Sequence, residues 1–346
     1  MKKLLTLLLI VTLTALIAFS FVGCKEKNNT PTIEEITIAV PDGGPALGMA
    51  YLMKNYSEID GVKVTYKIVD GATGIRAAVS GGEADVALMP TNMAAILYNG
   101  GIEIKLVGTN SYGLLYMLSD LASKDTFTLD SLKGQVLNTV GQGGTPEVVL
   151  KKILESSNLQ YVESDVAVAD KVALKFHEDG KTIIAGLKNG TIHYAVLGEP
   201  AVSTAIQNVG GNLGIVLDLQ VAWKTATNTD ASYPQTALVV KESLIEDAQG
   251  LVEKIARLTL DGAKALTEDA MPYITYLKEA GATVPATFGA AGVQRTNITP
   301  SFGNKAKSDV TAYFTILKAF KAPLIGGKLP DDGFYYASEA LENYKG

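Results

Sequence analysis

The sequence predicts an α/β protein made of two similar lobes, each a mostly parallel sheet covered on both faces. Two observations carry this. Short apolar runs alternate with segments that are apolar at helical spacing from Ile33 onward, the pattern of strands and crossover helices in a parallel sheet. The series then restarts near residue 135 and echoes itself. Val40-Pro-Asp-Gly-Gly-Pro45 corresponds to Val140-Gly-Gln-Gly-Gly-Thr-Pro146, in each case a strand ending at a glycine pair with a proline opening the next helix. Gly82–Pro90 and Gly190–Gly198 repeat a second unit: a helix-ending glycine, a short turn and a buried strand.

In order, Ile36–Val40 reads as a strand, Ala46–Tyr56 as a helix and Val62–Val69 as an alternating strand. Gly74–Ser80 is helical, Val86–Met89 a strand, Met93–Tyr98 helical and Ile102–Gly108 a strand. The second series expects strands at Gln135–Val140, Val166–Ala169, Tyr194–Leu197 and Ile215–Leu219. Helices at Pro146–Ser156, Thr182–Lys188 and Pro200–Gln207 separate them. Thr236–Val240 makes one more strand, and Leu244–Leu266, Ala270–Ala280 and Lys305–Phe320 are helical.

The first residues read as an export leader. Lys2 and Lys3 precede an apolar run from Leu4 to Val22, the order of a secretory signal peptide. The run ends at Phe21-Val22-Gly23-Cys24, which resembles a bacterial lipobox whose cysteine receives lipid. Phe21 departs from the usual Leu. The same run is also long enough to remain as an uncleaved membrane anchor. The expectation is residues 1–23 as signal peptide and 24–32 as a lipidated tether from Cys24, on the extracytoplasmic face of the cell membrane. A single cysteine excludes any intrachain disulfide. Without Lys2 and Lys3, 28 basic residues face 36 acids and the net charge moves from −6 to −8. An acidic chain without a basic stripe is a poor nucleic-acid binder.

Five strand-to-helix loops carry small and polar residues: Asp42-Gly43-Gly44, Ala72-Thr73-Gly74, Pro90-Thr91-Asn92, Gly143-Gly144-Thr145 and Gly198-Glu199. In open α/β sheets, ligands bind at the carboxyl ends of the strands, where helix N-termini offer unpaired amides. Thr145 before Pro146-Glu147 reads as an N-cap. Each loop alone could be an ordinary cap; five on one side of two sheets suggest a cleft. Of the three arginines, Arg76, Arg257 and Arg295, only Arg76 follows a cleft loop. Tyr112, Trp223 and Tyr233 could stack on a flat ligand or serve as core aromatics. Catalysis has little support: His177 lies in a polar turn, His193 opens a strand, and no Gly-x-Ser-x-Gly elbow, His-x-x-x-His pair or phosphate loop is present. No enzyme activity, cofactor or metal is expected.

Asp42–Leu47, Gly82–Ala87, Tyr233-Pro-Gln-Thr236 and Ile325–Asp332 together resemble the NMT1-like (SsuA/TauA-type) solute-binding proteins of ABC importers. The resemblance implies a type II periplasmic-binding-protein fold with mixed sheets and a two-segment hinge. Lobe I would hold residues 33–130 plus 236–346, and lobe II residues 131–235. The implied partners are a small-molecule solute and an ABC permease with its ATPase, for a receptor expected to be monomeric. Asp42, Gly43, Gly44, Thr73, Arg76, Thr91, Asn92, Tyr112, Gly143, Gly144, Thr145, Glu199 and Tyr233 are the candidate solute contacts. Family members take sulfonates, nitrate-like anions or thiamine-type pyrimidines. Asp42 and Glu199 suit an amine or ring nitrogen, which favours a nitrogenous heterocycle or zwitterion over a simple sulfonate. A ligand-binding sensor without transport is the other reading. The eukaryotic relatives that make the thiamine pyrimidine carry a cysteine cluster that this sequence lacks.

Overall fold

In the computed structural model, which describes residues 33–283, 288–342 and 344, the chain builds two sheets in turn and then returns to the first. It begins with β1 (Glu35–Pro41), α1 (Gly44–Asn55), β2 (Glu58–Ile59), β3 (Val62–Val69), α2 (Gly71–Ser80), β4 (Val86–Pro90), α3 (Thr91–Asn99) and β5 (Ile104–Tyr112). After a two-residue crossing at Gly113 and Leu114 come β6 (Leu115–Ser119), β7 (Val136–Val140), α4 (Thr145–Ser156), β8 (Tyr161–Glu163) and β9 (Val172–His177). The second sheet is completed by α5 (Gly180–Lys188), β10 (Tyr194–Gly198), α6 (Ala201–Val209), β11 (Gly214–Asp218) and α7 (Leu219–Thr227). A second crossing leads to β12 (Pro234–Lys241), α8 (Glu242–Glu268), α9 (Met271–Glu279), α10 (Ala290–Arg295), β13 (Ile298–Phe302), α11 (Gly303–Lys321) and α12 (Glu339–Glu342).

The first sheet has the order β13-β5-β12-β4-β1-β3-β2 and the second β11-β6-β10-β7-β9-β8. β1 runs parallel to β3 and β4, while β12 is antiparallel to β4 and β5. In the second sheet β7 is parallel to β9 and β10, and β6 is antiparallel to β10 and β11. Both sheets are therefore mixed. Parallel strands covered on both faces need continuous apolar runs. β1 shows how one strand serves two layers: Ile36, Ile38 and Val40 pack in the core with α1 and α8, whereas Ala39 joins Ala87, Met89 and Ala94 in the other.

The sheets meet the expected element order with four differences. The chain enters the second sheet at Leu115, earlier than the expected boundary at residue 130, because the buried run Leu115–Ser119 pairs antiparallel with β10. The chain rejoins the first sheet at Pro234, two residues before the expected 236. The strand expected at Val166–Ala169 lies instead at Val172–His177; Val166 is exposed, and the run that pairs with β7, opening on buried Val172, Ala173 and Leu174, follows Lys171. β2, β8, α7, α10, β13 and α12 were not anticipated. Cys24, the lipobox and the tether lie outside the described residues. Among the described residues no helix is long and apolar enough to cross a membrane.

Candidate functional site

The register of the first sheet brings several loop residues to one end. Thr236 pairs with Pro90 at the end of β4 and with Ser111 near the end of β5, and Pro234 pairs with Tyr112. This is the end at which the chain crosses to the second sheet, where Leu115 pairs with Gly198 and Tyr116 with Asp218. The carboxyl ends of the parallel strands of both sheets therefore face the crossings.

Buried polar groups without a protein partner cluster here. Thr91 and Asn110 are each about 1% exposed. The Thr91 hydroxyl, both polar atoms of the Asn110 carboxamide and the Oε1 of Gln235 make no hydrogen bond within the described chain. Leaving such a group unpaired in the interior costs about 1–3 kcal/mol. Asn110 also lies hard against α1, since a Cβ on Gly48 would stand 2.4 Å from its Oδ1. The glycine admits the strand side chain beneath the helix. Asn110 and Gln235 were not among the expected contacts; nothing in sequence spacing marks a strand residue as unpaired.

Asp42, Glu147 and Glu199, at the starts of α1, α4 and α6, are each engaged. Asp42 accepts the amides of Gly43 at 2.8 Å and Thr283 at 2.9 Å. Glu147, inside the first turn of α4, accepts the Gly143 amide and the Lys151 ammonium, each at 2.5 Å. Lys151 also donates to Glu163 at 2.9 Å, and its charge lies 5.5 Å from the Tyr161 ring. Burial alone would raise the Glu147 carboxyl, but Lys151 and the Gly143 amide hold it below the ordinary range. Burial likewise opposes the charge on Lys151, and its two glutamates hold its pKa above normal.

Glu199 has a side chain with no exposed surface. It accepts the amide and the hydroxyl of Ser203 at 3.1 and 2.9 Å, and Nε of Arg295 at 2.6 Å. This corrects two expectations. Arg295, not Arg76, is the arginine at a cleft loop, and Glu199 already holds a cation. Arg76 and Thr73 instead lie exposed along α2. The pairing was invisible in the sequence because about a hundred residues separate the partners.

Other expected contacts are placed differently. Gly144, in extended backbone, caps α4; Thr145 is its first residue and shares a 2.8 Å hydrogen bond with the Tyr313 hydroxyl of α11. Gly43 and Gly143 hold positive φ, as glycine permits, and Gly44 follows Gly43 into α1. Asn92 donates to the Leu324 carbonyl at 3.2 Å and so fastens α3 to the C-terminal segment. Tyr112 donates to Asp309 at 2.5 Å beside a hollow of about 530 Å³ at the crossings, with burial and the neighbouring carboxylate raising its pKa. Tyr233 is fully buried and donates to Gln220 at 2.7 Å, with its ring edge-on to Trp223 at 5.4 Å. These two aromatics pack against each other at the crossing. A Cβ on Gly113 would fall 2.3 Å from the Tyr233 ring, so the first crossing requires glycine there.

The histidines are also engaged. His177 meets Asn138 at 2.8 Å and His193 meets Asp120 at 3.0 Å. Among the described residues no group of three or more His, Cys, Asp and Glu side chains is placed to hold a metal ion.

Two mixed sheets joined by two crossings define a two-lobed protein of the periplasmic-binding-protein type. The chain belongs to the NMT1-like family, whose model matches residues 37–272. Solved structures agree in fold. A crystal structure of an ABC transporter from Parabacteroides distasonis is similar at 25% identity and TM-score 0.74, covering 88% of this chain and 100% of that one. The periplasmic aliphatic sulphonate-binding protein SsuA of Escherichia coli is similar at 15% identity and TM-score 0.64, covering 85% and 89%. A Candida albicans protein described as exhibiting the generic periplasmic binding protein fold aligns at 12% identity and TM-score 0.52, covering 87% and 93%. Among curated proteins no sequence matches.

Proposed function

We propose that this protein is the extracytoplasmic solute-binding subunit of an ABC importer, held at the membrane through Cys24. The observation that carries the reading is the set of unpartnered polar groups on Thr91, Asn110 and Gln235 at the crossing end of the first sheet. A small polar solute would satisfy these groups, and hinge closure around it would create the face that a permease reads. The family and the Parabacteroides structure support the transport assignment.

The charge arrangement favours a net-neutral solute, a nitrogenous heterocycle of the thiamine-precursor kind or a zwitterion. Near the starts of α1, α4 and α6 the amides of Gly43, Gly143 and Ser203 are taken by Asp42, Glu147 and Glu199. A sulfonate there would face carboxylates. Glu199 in turn has Arg295 as its counter-ion, so the solute need not bring a cation to it. The Asn110 carboxamide offers a donor beside an acceptor, which matches a ring edge carrying both.

A thermal-shift screen of pyrimidines, sulfonates, nitrate, amino acids and flavins, followed by mass spectrometry of the recovered ligand, tests the reading. A true solute raises the melting temperature by mass action and is recovered unchanged. Turnover of the hit would overturn the assignment. A sulfonate as the tightest ligand would overturn the charge argument while leaving the receptor in place.

A further inference from the structure

We propose that Arg295 is a positioning residue for lobe closure, the pin of a clasp thrown from the first sheet's side onto α6. This deepens the solute-binding reading and rests on it only for its functional meaning.

The clasp is the segment around α10, between Gly289 and Asn297. Both of its ends belong to the first sheet's lobe. Upstream, the Thr283 amide is held by Asp42; downstream, the chain enters β13, which pairs with β5. From Gly289 to Asn297 the chain reaches across. Arg295 places Nε on Glu199 and Nη2 on Ser203 Oγ at 2.9 Å, while Ser203 itself donates to the same carboxylate. The Arg295 carbonyl accepts the Tyr116 hydroxyl of β6 at 3.1 Å. Asn297 exchanges hydrogen bonds with the first crossing, donating to the Gly113 carbonyl and accepting the Tyr112 amide.

Shape supports the same assignment. A Cβ on Gly292 would stand 2.9 Å from Ser203 Oγ and 2.7 Å from the Phe288 ring. α10 thus sits flush on α6 only because position 292 has no side chain. Glu199 supplies the reason for the clasp to close. Its carboxylate is wholly buried, and Arg295 is its cation. Moving the lobes apart at this point strips that cation from a buried charge, so separation here is opposed and the closure that a solute drives is favoured in advance. Guanidinium geometry suits the task, because one planar group addresses the carboxylate and the serine together.

The test uses the mature-length protein without solute, labelled in each lobe for distance measurement by double electron–electron resonance. Arg295→Ala is expected to move the interlobe distance distribution toward longer separations. Millimolar guanidinium chloride is expected to restore it, because the free ion fits the place vacated beside Glu199. Sodium chloride at equal ionic strength should not. Arg295→Ala combined with Glu199→Gln should abolish the guanidinium response. Gly292→Ala is expected to lengthen the same distance with every charge intact, which guards against a variant that simply misfolds. An unchanged distribution in both Arg295→Ala and Gly292→Ala, or identical responses to guanidinium and sodium, would overturn the proposal. Because no solute is present, that result would leave the outcome of the ligand screen untouched.

Discussion

Replacing Lys151 by Met tests how the glycine loop before α4 is held. Lys151 and Glu147 are each about nine-tenths buried at the side chain, and their ion pair is 2.5 Å long. Removing the cation leaves Glu147 with the Gly143 amide and the more distant charge of Lys321 for support. Breaking a buried pair from one side typically costs about 3–5 kcal/mol. The lower end applies here, since Glu147 keeps that amide and Glu163 is half exposed. For a unit of this size, unfolding entropy is roughly 0.65 kcal/mol/K, so a loss of about 3 kcal/mol lowers Tm by about 5 °C. Calorimetry and urea unfolding at neutral pH measure it. Replacing both members, Lys151→Met with Glu147→Leu, removes the stranded charge and should recover most of the loss. A single variant costing under about 1 kcal/mol, or a double variant as unstable as the sum of its parts, would refute the account.

Further outcomes are expected. Thr91→Val removes a buried hydroxyl that has no protein partner, so Tm should hold or rise while affinity for the true solute falls about tenfold, read by calorimetric titration; unchanged affinity would remove Thr91 from the site. Tyr233→Phe should cost about 1 kcal/mol through its lost bond to Gln220, and Gly113→Ala about 1–3 kcal/mol by driving a Cβ into the Tyr233 ring, both measured by chemical denaturation. The Glu147 carboxyl is held below its ordinary value of 4.5, so its contribution is complete above that pH and is lost as pH falls through the lower folded-state value. The difference in Tm between wild type and Glu147→Gln should therefore shrink in acid, and a gap independent of pH would contradict the pairing.

Much of the fold was legible because its signals are local. A proline two residues into α1 and another two residues into α4, each after glycines, marked equivalent positions in the two halves, and the apolar runs of β1, β4, β7 and β10 stood out from their flanks. The early entry into the second sheet escaped because Leu115–Ser119 has no alternation to set it apart. The site was less legible for a different reason. Its defining facts are pairings over long separations, Arg295 with Glu199 and Thr283 with Asp42, together with failures to pair at Thr91, Asn110 and Gln235. Tyr233 looked available to a ligand because composition does not reveal that Gln220 and Trp223 already surround it.

The order in which strands enter the sheets has a consequence for synthesis. Residues 115–227 form the second sheet and its helices as one uninterrupted stretch. The first sheet cannot close in the same way, because β12 occupies its middle, between β5 and β4, and leaves the ribosome more than a hundred residues after either. Until then β4 exposes one unpaired edge and β5 both, templates for wrong partners. The inner lobe can assemble first and hold β5 and the incoming β12 at neighbouring ends of one folded body. The long-range closure of the outer sheet then becomes a short-range event.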